Sequence, residues 1–324
     1  MLRIGMIGSG YIASVHAKTI HAHPDLELAA VFSRSEARCV EFCAVHGGRP
    51  VATISELLSN CPLDAIIIAS PTDTHADYLQ AASATDKPIY CEKPVDLSFD
   101  KCRMIVSELT AKKTRVMMGF NRRFEPDYTD LHQTVASGRL GTLQTVQMIS
   151  RGPQVLAPID YLRQSGGFFR DKGIHFFDLT RHMACAEPVS VFAAGRAVHP
   201  TVSSLGDVDT VIITLEMTSG ALCMIENARL SSYGYDEKIE IFGTDGMAET
   251  RRQLSADDQS FPQSNFEKLH RSFTHAMDAF ARWIVDPAVT VPDLQDGLKA
   301  QAIAEAAVIS LSEKRVVTLD EIGV

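Results

Sequence analysis

The sequence lacks the features of several large protein classes. Its 7 cysteines are an odd number without a CxxC pair, which is typical of reduced cytosolic thiols and not of a disulfide framework or a zinc site. The longest aliphatic stretch, 65–69, is far shorter than the roughly 20 residues that span a bilayer. Glycine and serine at 8–10 interrupt the apolar residues 4–7 before a signal-type segment forms. We therefore expect a cytoplasmic protein without a signal peptide, a membrane segment or a metal.

The charge balance excludes a further class of protein. The chain has 31 Lys and Arg against 40 Asp and Glu, a formal net charge of −9, and it contains no long basic run. Such a surface is poorly suited to neutralise the phosphates of DNA or RNA, so we expect no nucleic-acid partner. The length of 324 residues suggests about two domains.

Short apolar, β-branched runs alternate with helix-length amphipathic segments up to about residue 120. The predicted strands are 3–7, 26–32, 65–69, 87–91 and 116–120, and the predicted helices are 13–21, 36–45, 74–84 and 98–112, with caps at Ser35, Thr72 and Asp96. This alternation is typical of βαβ units around a buried parallel sheet. We predict a doubly wound α/β domain over residues 1–120.

After residue 120 the chain changes to longer alternating runs joined by glycine-containing turns. The predicted strands are 143–150, 189–197, 208–216, 221–228, 238–242 and 247–250, and the predicted helices are 126–137, 174–185, 265–285 and 294–312. Neighbouring strands without helices between them indicate an α+β C-terminal domain, over 121–324, with a large, mostly antiparallel sheet. Helices would cover one face of this sheet. The other face needs a partner, so we expect a homo-dimer or homo-tetramer.

The first predicted strand is followed by a glycine fingerprint that opens a helix. It reads Gly8-Ser9-Gly10-Tyr11-Ile12-Ala13. In the GxGxxG/A pattern the first glycine permits a tight turn, the second lets a pyrophosphate approach the backbone, and the third small residue keeps the helix close to the sheet. A bare strand-to-helix turn is the alternative. The placement at the first βα turn favours dinucleotide binding, at Gly8, Gly10, Tyr11 and Ile12. We therefore predict that residues 1–120 form an α/β Rossmann dinucleotide-binding domain.

The end of the second predicted strand favours NADP over NAD. NAD-specific sites carry an acidic residue there, about 20 residues past the loop, which bonds the ribose 2′-hydroxyl. This chain has Ser33 and Arg34 instead, and both can bind a 2′-phosphate. The alternative is a solvated Arg34 and an enzyme that accepts either cofactor.

Two further segments carry reactive side chains. Lys93 follows a predicted strand at its carboxyl end, where ligands of open α/β sheets bind, and Pro94 holds it out of the helical region and permits a cis peptide bond. Asp171, His175 and Asp178 have a spacing that places them on one face of a helix. The alternatives are a solvated lysine and a helix cap with a structural histidine.

These motifs together resemble the Gfo/Idh/MocA family of oxidoreductases. The stretches that carry the likeness are the glycine loop, Pro71-Thr72 with His75, Glu92-Lys93-Pro94, 119–124 and 166–178. The resemblance implies hydride transfer between NAD(P) and a secondary hydroxyl of a cyclic polyol or sugar. It also implies cofactor contacts by Pro71, Thr72, His75, Glu92 and Lys93, although His75 can equally be structural.

Within that family the chain is similar to bacterial inositol 2-dehydrogenases, whose pattern is SRDP, a tyrosine, SGG and DMxIHDFD. The corresponding residues are Ser150 to Pro153, Tyr161, Ser165 to Gly167 and Asp171 to Asp178. The likeness implies Lys93, Asp171 and His175 as catalytic residues that also touch the substrate. It further implies that Arg123, Asp178 and Tyr235 contact the polyol, with Tyr233 as an alternative to Tyr235.

The sequence departs from that pattern at three positions beside the implied substrate site. Gly152 stands in place of the Asp of SRDP, Lys172 in place of Met, and Phe176 in place of Asp. Two carboxylates are lost and one cation is gained, which changes how substrate hydroxyls are paired. Another inositol isomer or a cyclic sugar therefore fits as well as myo-inositol.

The implied chemistry needs a base near neutral pKa, and His175 is suited to take the hydroxyl proton. Asp171 would orient His175, and Lys93 would stabilise the negative charge that develops on oxygen. Two alternatives remain: a non-catalytic dinucleotide- and sugar-binding sensor of the same fold, and a hydrolase of glycosidic bonds. A sensor has no need of all three residues, so their presence favours the dehydrogenase.

Overall fold

The computed structural model describes residues 1–152, 156–232, 234–250 and 261–324, and for 261–269 it describes the backbone alone. The chain divides into two compact units. The first comprises Met1–Asn121 and Phe273–Leu298, and the second comprises Arg122–Ser272 and Lys299–Val324.

The first unit is built on a six-stranded parallel sheet. Its strands are β1 (Leu2–Ile7), β2 (Leu26–Phe32), β3 (Arg49–Val51), β4 (Ala65–Ile68), β5 (Ile89–Cys91) and β6 (Val116–Met118). The order is β3-β2-β1-β4-β5-β6, so the chain reverses direction across the sheet after β3. All four residues of β4 are buried, as expected for a strand covered on both faces. The predicted Rossmann fold is confirmed.

Four helices connect these strands. They are α1 (Tyr11–Ala22), α2 (Glu36–His46), α3 (His75–Ala82) and α4 (Phe99–Ala111). Ser35 caps α2 as predicted, by accepting a hydrogen bond from the Arg38 backbone N–H. The other two predicted caps are wrong. Thr72 is the first residue of a 3-10 turn that precedes α3. The cap of α4 is Ser98, and the Asp96 carboxylate accepts a hydrogen bond from the Ser98 backbone N–H at 3.0 Å.

The second unit contains a seven-stranded mixed sheet. Its strands are β7 (Leu143–Arg151), β8 (Pro188–Arg196), β9 (Thr210–Met217), β10 (Leu222–Ala228), β11 (Asp236–Gly243), β12 (Gly246–Glu249) and β13 (Val317–Thr318). The order is β12-β11-β7-β10-β9-β8-β13. The pair β7 and β10 is parallel and the other pairs are antiparallel, which confirms the mostly antiparallel prediction.

The remaining helices lie mainly in the second unit. They are α5 (Pro126–Ala136), α6 (Ile159–Gln164), α7 (Ile174–Ala184), α8 (Pro200–Ser204), α9 (Phe261–Val285), α10 (Leu294–Glu313) and α11 (Leu319–Ile322). The change of unit falls inside both α9 and α10. We predicted residues 273–298 as part of the C-terminal domain, but the structure groups them with the first unit. There Phe280 lies 5.5 Å from the ring of Tyr90, and Arg115 stacks over Trp283.

One face of the mixed sheet is buried and the other exposes apolar side chains. Along β9 the residues alternate between buried and exposed, so Val211 and Ile213 face inward while Ile212 is 51 % exposed. Phe192, Leu222, Phe242 and Met247 are exposed as well. We call this surface the open face. No helix in the described part of the chain is long and apolar enough to cross a membrane.

Candidate active site

The turn between β1 and α1 requires glycine at one position and leaves open space at another. Gly8 has a φ of +125°, and a Cβ there would lie 2.3 Å from the carbonyl oxygen of Ala69. At Gly10 a Cβ would meet no described heavy atom within 4 Å. Helix α1 begins directly after Gly10 without a side-chain cap. Backbone N–H groups beside open space form an anion-binding site, so the loop fits the pyrophosphate of a dinucleotide.

The residues around this loop provide the rest of a nucleotide site. Tyr11 is 73 % exposed at the start of α1, and Ile12 beside it is half-buried. Ser33, at the end of β2, accepts a hydrogen bond from the Ser9 hydroxyl at 2.9 Å, which holds it next to the glycine loop. Arg34 is exposed beside Tyr78; burial raises the pKa of Tyr78 and the Arg34 charge opposes that rise.

His75 is a buried link between two loops of the same sheet edge. Its Nδ1 lies 2.7 Å from the carbonyl oxygen of Pro94 and its Nε2 lies 2.9 Å from that of Ser70. The side chain is therefore held between the segment after β4 and the segment after β5, which supports a structural role. Pro71 is exposed and Thr72 half-buried in the turn that precedes His75. Cofactor contact by these residues stays a prediction.

A buried histidine–carboxylate pair supports the segment that carries Lys93. His16 on α1 places Nε2 at 2.7 Å from Oε1 of Glu92, and both side chains are buried. The other Glu92 oxygen accepts from the Lys93 backbone N–H at 3.3 Å. Gly119 packs so closely on Glu92 that a Cβ would approach the carboxylate to 3.0 Å. Lys93 is half-buried and its peptide bond to Pro94 is cis.

In the second unit two of the predicted polyol contacts bind each other. Arg123 donates from Nε to Oδ2 of Asp178 at 2.8 Å and from Nη2 to Oδ1 at 2.5 Å. Asp178 is 1 % exposed, and Arg181 adds a longer contact of 3.8 Å. Paired, parallel hydrogen bonds of this kind hold a guanidinium in one orientation.

Asp171 lies in a π-helical turn, Phe169–Gly173, that runs directly into α7 and His175. Its two oxygens accept hydrogen bonds from separate elements: Tyr161 donates to Oδ1 at 2.8 Å, and Arg229 donates to Oδ2 at 3.1 Å. Arg229 also donates to Asp207 at 3.0 Å. The Asp171 carboxylate is therefore held from two sides. His175 follows in the first turn of α7 and is half-buried.

Tyr235 belongs to a hydrogen-bonded cluster centred on Glu237. The Glu237 carboxylate accepts from Arg122, from Tyr128 at 2.9 Å and from Ser150 at 3.1 Å. Arg122 also donates to the Tyr235 hydroxyl at 2.9 Å. Burial is the main reason that the pKa of Tyr235 rises to about 12, so its hydroxyl stays protonated near neutral pH. Tyr233 and Pro153 lie outside the described residues.

The residues that depart from the inositol dehydrogenase pattern lie around these pairs. Lys172 donates to the carbonyl oxygen of Ala228 at 2.5 Å, and its Nζ lies 5.8 Å from the centre of the Tyr235 ring. Phe176 is 1 % exposed beneath Arg122, whose guanidinium carbon lies 4.8 Å from the ring centre. Within the described ranges, no group of histidine, cysteine and acidic residues forms a metal site.

Sequence reasoning missed four partners of the predicted residues: Arg122, Tyr161, Arg229 and Glu237. Arg122 lies beside Arg123 in the family stretch 119–124, and Tyr161 is the tyrosine of the inositol 2-dehydrogenase pattern. Both could therefore have been found from the local sequence. Arg229 is 58 positions from Asp171, and Glu237 is 115 positions from Arg122. A sequence pattern does not show which of many charged residues the fold brings together over such distances.

The fold and the glycine loop define a nucleotide-binding oxidoreductase with a separate α+β unit. Residues 2–120 match the oxidoreductase family with an NAD-binding Rossmann fold, and residues 128–249 match the GFO/IDH/MocA C-terminal domain. The chain belongs to the Gfo/Idh/MocA family, which confirms the resemblance seen in its motifs.

Relatives with named activities match the chain over nearly its whole length. Inositol 2-dehydrogenase of Rhizobium meliloti is 35 % identical over 98 % of this chain and 99 % of its own. Myo-inositol 2-dehydrogenase of Thermotoga maritima is 32 % identical over 99 % of both chains. The crystal structure of a myo-inositol dehydrogenase from Corynebacterium glutamicum superposes with a TM-score of 0.89 at 35 % identity, over 98 % of this chain and 99 % of that one.

Proposed function

We propose that this protein is an NAD(P)-dependent dehydrogenase that oxidises a secondary hydroxyl of a cyclic polyol or sugar. The observation that carries the proposal is the combination of an open glycine loop on a Rossmann sheet with near full-length similarity to inositol 2-dehydrogenases. Fold alone would leave the activity open, because one fold can host several functions. The relatives' names and the reactive side chains favour the dehydrogenase over a sensor.

Three residues of the chain would perform the acid–base and electrostatic work. His175 takes the proton from the substrate hydroxyl, a task suited to imidazole near neutral pH. Asp171, held by Tyr161 and Arg229, orients His175 and stabilises its protonated form. Lys93 stabilises the negative charge that develops on the substrate oxygen. The nicotinamide, when bound, accepts the hydride.

Arg123, Asp178 and Tyr235 are the proposed contacts of the remaining hydroxyls. The fork between Arg123 and Asp178 leaves each side chain in a fixed orientation, and Tyr235 is fixed by Arg122. Fixed donors and acceptors discriminate between hydroxyl stereoisomers, because an unpaired buried polar group weakens binding.

Absorbance at 340 nm tests the reaction directly. The purified protein is assayed with NAD and NADP against inositol isomers and cyclic sugars, neutral and acidic. We expect turnover of at least one compound and its loss in His175→Ala and in Lys93→Ala, while the exposed His21→Ala and Lys112→Ala controls keep it. Nucleotide binding without turnover of any compound would contradict the proposal and favour a sensor.

The finer cofactor preference that we propose is NADP. Ser33 is held next to the glycine loop, and within the described residues exposed Arg34 makes no ion pair that would neutralise it. Both can therefore bind a 2′-phosphate. We expect Arg34→Ala to weaken NADP binding by about tenfold while NAD binding stays the same, and Arg38→Ala on the same exposed surface to change neither. Equal loss for both nucleotides would refute the preference.

We also propose a homo-dimer or homo-tetramer assembled through the open face. Its exposed Phe192, Ile212 and Leu222 form an apolar surface of the kind that marks an interface. Light scattering after gel filtration should give a multiple of 35.5 kDa, reduced by Leu222→Glu and unaffected by Val45→Glu on α2. A monomeric mass for the parent protein would exclude this assembly. None of the seven cysteines forms a disulfide, which supports the cytoplasmic location that we propose.

A further inference from the structure

We propose that Lys172 binds a carboxylate group of the substrate, so that the preferred substrates are acidic cyclic polyols or sugars of the uronate type. The inference rests on the proposed dehydrogenase function and names its substrate class.

Lys172 lies where three elements of the second unit meet. It directly follows Asp171, and its Nζ donates to the carbonyl oxygen of Ala228, the last residue of β10. Because β7 and β10 run parallel, their carboxyl ends share one edge of the sheet, and the Gly152 backbone N–H donates to the same Ala228 carbonyl at 2.8 Å. The Tyr235 ring borders the ammonium at 5.8 Å.

Gly152 provides the room that the Lys172 ammonium occupies. A Cβ at position 152 would lie 3.0 Å from Nζ of Lys172 and 2.1 Å from the carbonyl oxygen of Arg229. A side chain therefore does not fit at this position without movement of the backbone. The aspartate that the inositol dehydrogenase pattern places here is absent, and the lysine supplies a positive charge at the same place.

The carboxylates around Lys172 are already bound by other donors. Glu237 accepts from Arg122, Tyr128 and Ser150, while Asp171 accepts from Tyr161 and Arg229. Within the residues that the structure describes, no carboxylate oxygen lies within 4.0 Å of Nζ of Lys172. The ammonium has three donors and one is used by Ala228, so it can donate to an incoming ligand.

A carboxylate compensates this ammonium better than a hydroxyl does. The pKa of Lys172 is lowered to about 7, mainly by burial; Arg122 and Arg229 contribute to the lowering, while Glu237 and Asp171 oppose it. An anionic ligand group restores the charged form and forms a charge-assisted hydrogen bond. A phosphate would need more than one available cation, whereas Arg122 and Arg229 are both engaged with carboxylates. A single carboxylate matches a single ammonium.

Pairs of sugars that differ at one carbon test this inference. D-Glucuronate is compared with D-glucose, and D-galacturonate with D-galactose, by kcat/KM with NAD and NADP and by calorimetric binding at low ionic strength. We expect each acid to exceed its neutral partner by at least tenfold. Lys172→Met should lower kcat/KM and affinity for the acids by roughly 10- to 150-fold and leave the neutral sugars within about threefold.

Three further variants separate charge from structure. Lys172→Arg should keep most of the acid preference, whereas Lys172→Gln, which keeps a donor without the charge, should lose it. Lys112 is exposed and distant from Lys172 in the sequence, so Lys112→Met should leave both the affinity and kcat/KM for the acids unchanged. Each variant is first checked for an unchanged melting temperature.

The outcomes of this test are distinct. Neutral polyols turned over in preference to acids, with acid turnover unaffected in Lys172→Met, would overturn the inference and leave the proposed function intact. Acid binding that depends on Lys172 without turnover of any compound would uphold the carboxylate site and overturn the dehydrogenase. Neither binding nor turnover of either kind would overturn both.

Discussion

Alanine substitutions at the two glycines of the nucleotide loop should separate folding from cofactor binding. Gly8 has a φ of +125° and a Cβ there would lie 2.3 Å from a backbone oxygen of Ala69, which cannot rotate away as a side chain can. The unfavourable backbone conformation costs about 1–3 kcal/mol and the forced displacement about 1–3 kcal/mol more. Gly8→Ala should therefore lower the free energy of unfolding by about 2–6 kcal/mol.

Gly10→Ala should have the opposite profile. Its φ of −89° and ψ of −170° suit alanine, and a Cβ there would meet no described atom within 4 Å. Stability should stay the same or rise by up to about 1 kcal/mol, because the unfolded chain loses freedom. A bound pyrophosphate would meet the added methyl group, and overpacking of about 1–3 kcal/mol corresponds to an affinity that is roughly 5- to 150-fold weaker.

The assay combines urea unfolding without nucleotide and titration with NAD and NADP. Gly246→Ala is a matched control in the second unit, since the added Cβ would lie 3.8 Å from its nearest heavy atom. An unchanged nucleotide affinity in Gly10→Ala would refute the placement of the pyrophosphate on the helix terminus. Full stability in Gly8→Ala would refute the steric argument.

Three other predictions follow from contacts within the individual units. The affinity for D-glucuronate should fall as the pH rises above about 7, because Lys172 is charged below its pKa of about 7 and neutral above it. Lys172→Arg should remove this pH dependence, whereas a constant Kd from pH 6 to 8.5 in the parent protein would contradict the prediction. His16→Ala should lower the free energy of unfolding by about 2–4 kcal/mol in urea, since it removes the hydrogen-bond partner of the buried Oε1 of Glu92 and opens a cavity. A loss under about 1 kcal/mol would show that the pair is unimportant. Asp178→Asn should raise KM more than it lowers kcat, because Arg123 loses a charged partner and its fixed orientation; a change in kcat alone would argue against a role in substrate binding.

Local patterns predicted five of the six strands of the first unit and missed only the short edge strand β3. Strands β1, β2 and β4 were predicted within one residue because short β-branched runs that are buried on both faces differ clearly from the amphipathic helices between them. The loop at Gly8 and Gly10 was equally visible, since both its turn and its anion site depend on adjacent backbone. Prediction was poorer where local signals compete: Thr72 lies inside a 3-10 turn instead of capping α3, and the Asp96 carboxylate accepts from the Ser98 backbone N–H instead of capping α4.

Long-range pairing was beyond the sequence. Two features were not visible in the sequence: the parallel pairing of β7 with β10, and the grouping of residues 273–298 with the first unit. Both depend on apolar contacts between segments that are far apart in the chain. Phe280 illustrates the point, because it lies in the predicted helix 265–285, whereas only the tertiary structure shows that its ring packs against Tyr90.

The sequence by itself determined the family and the glycine loop of the Rossmann domain, and it supplied the candidate reactive side chains, because these features reside in contiguous residues whose spacing has a direct physical meaning. The tertiary structure decided which charges neutralise one another. Arg229 binds Asp171 from 58 positions away, Arg122 binds Glu237 from 115, and Lys172 is left with a backbone carbonyl. Carboxylates pair with the cations that the fold brings nearest, and distance in space, not along the chain, governs that competition.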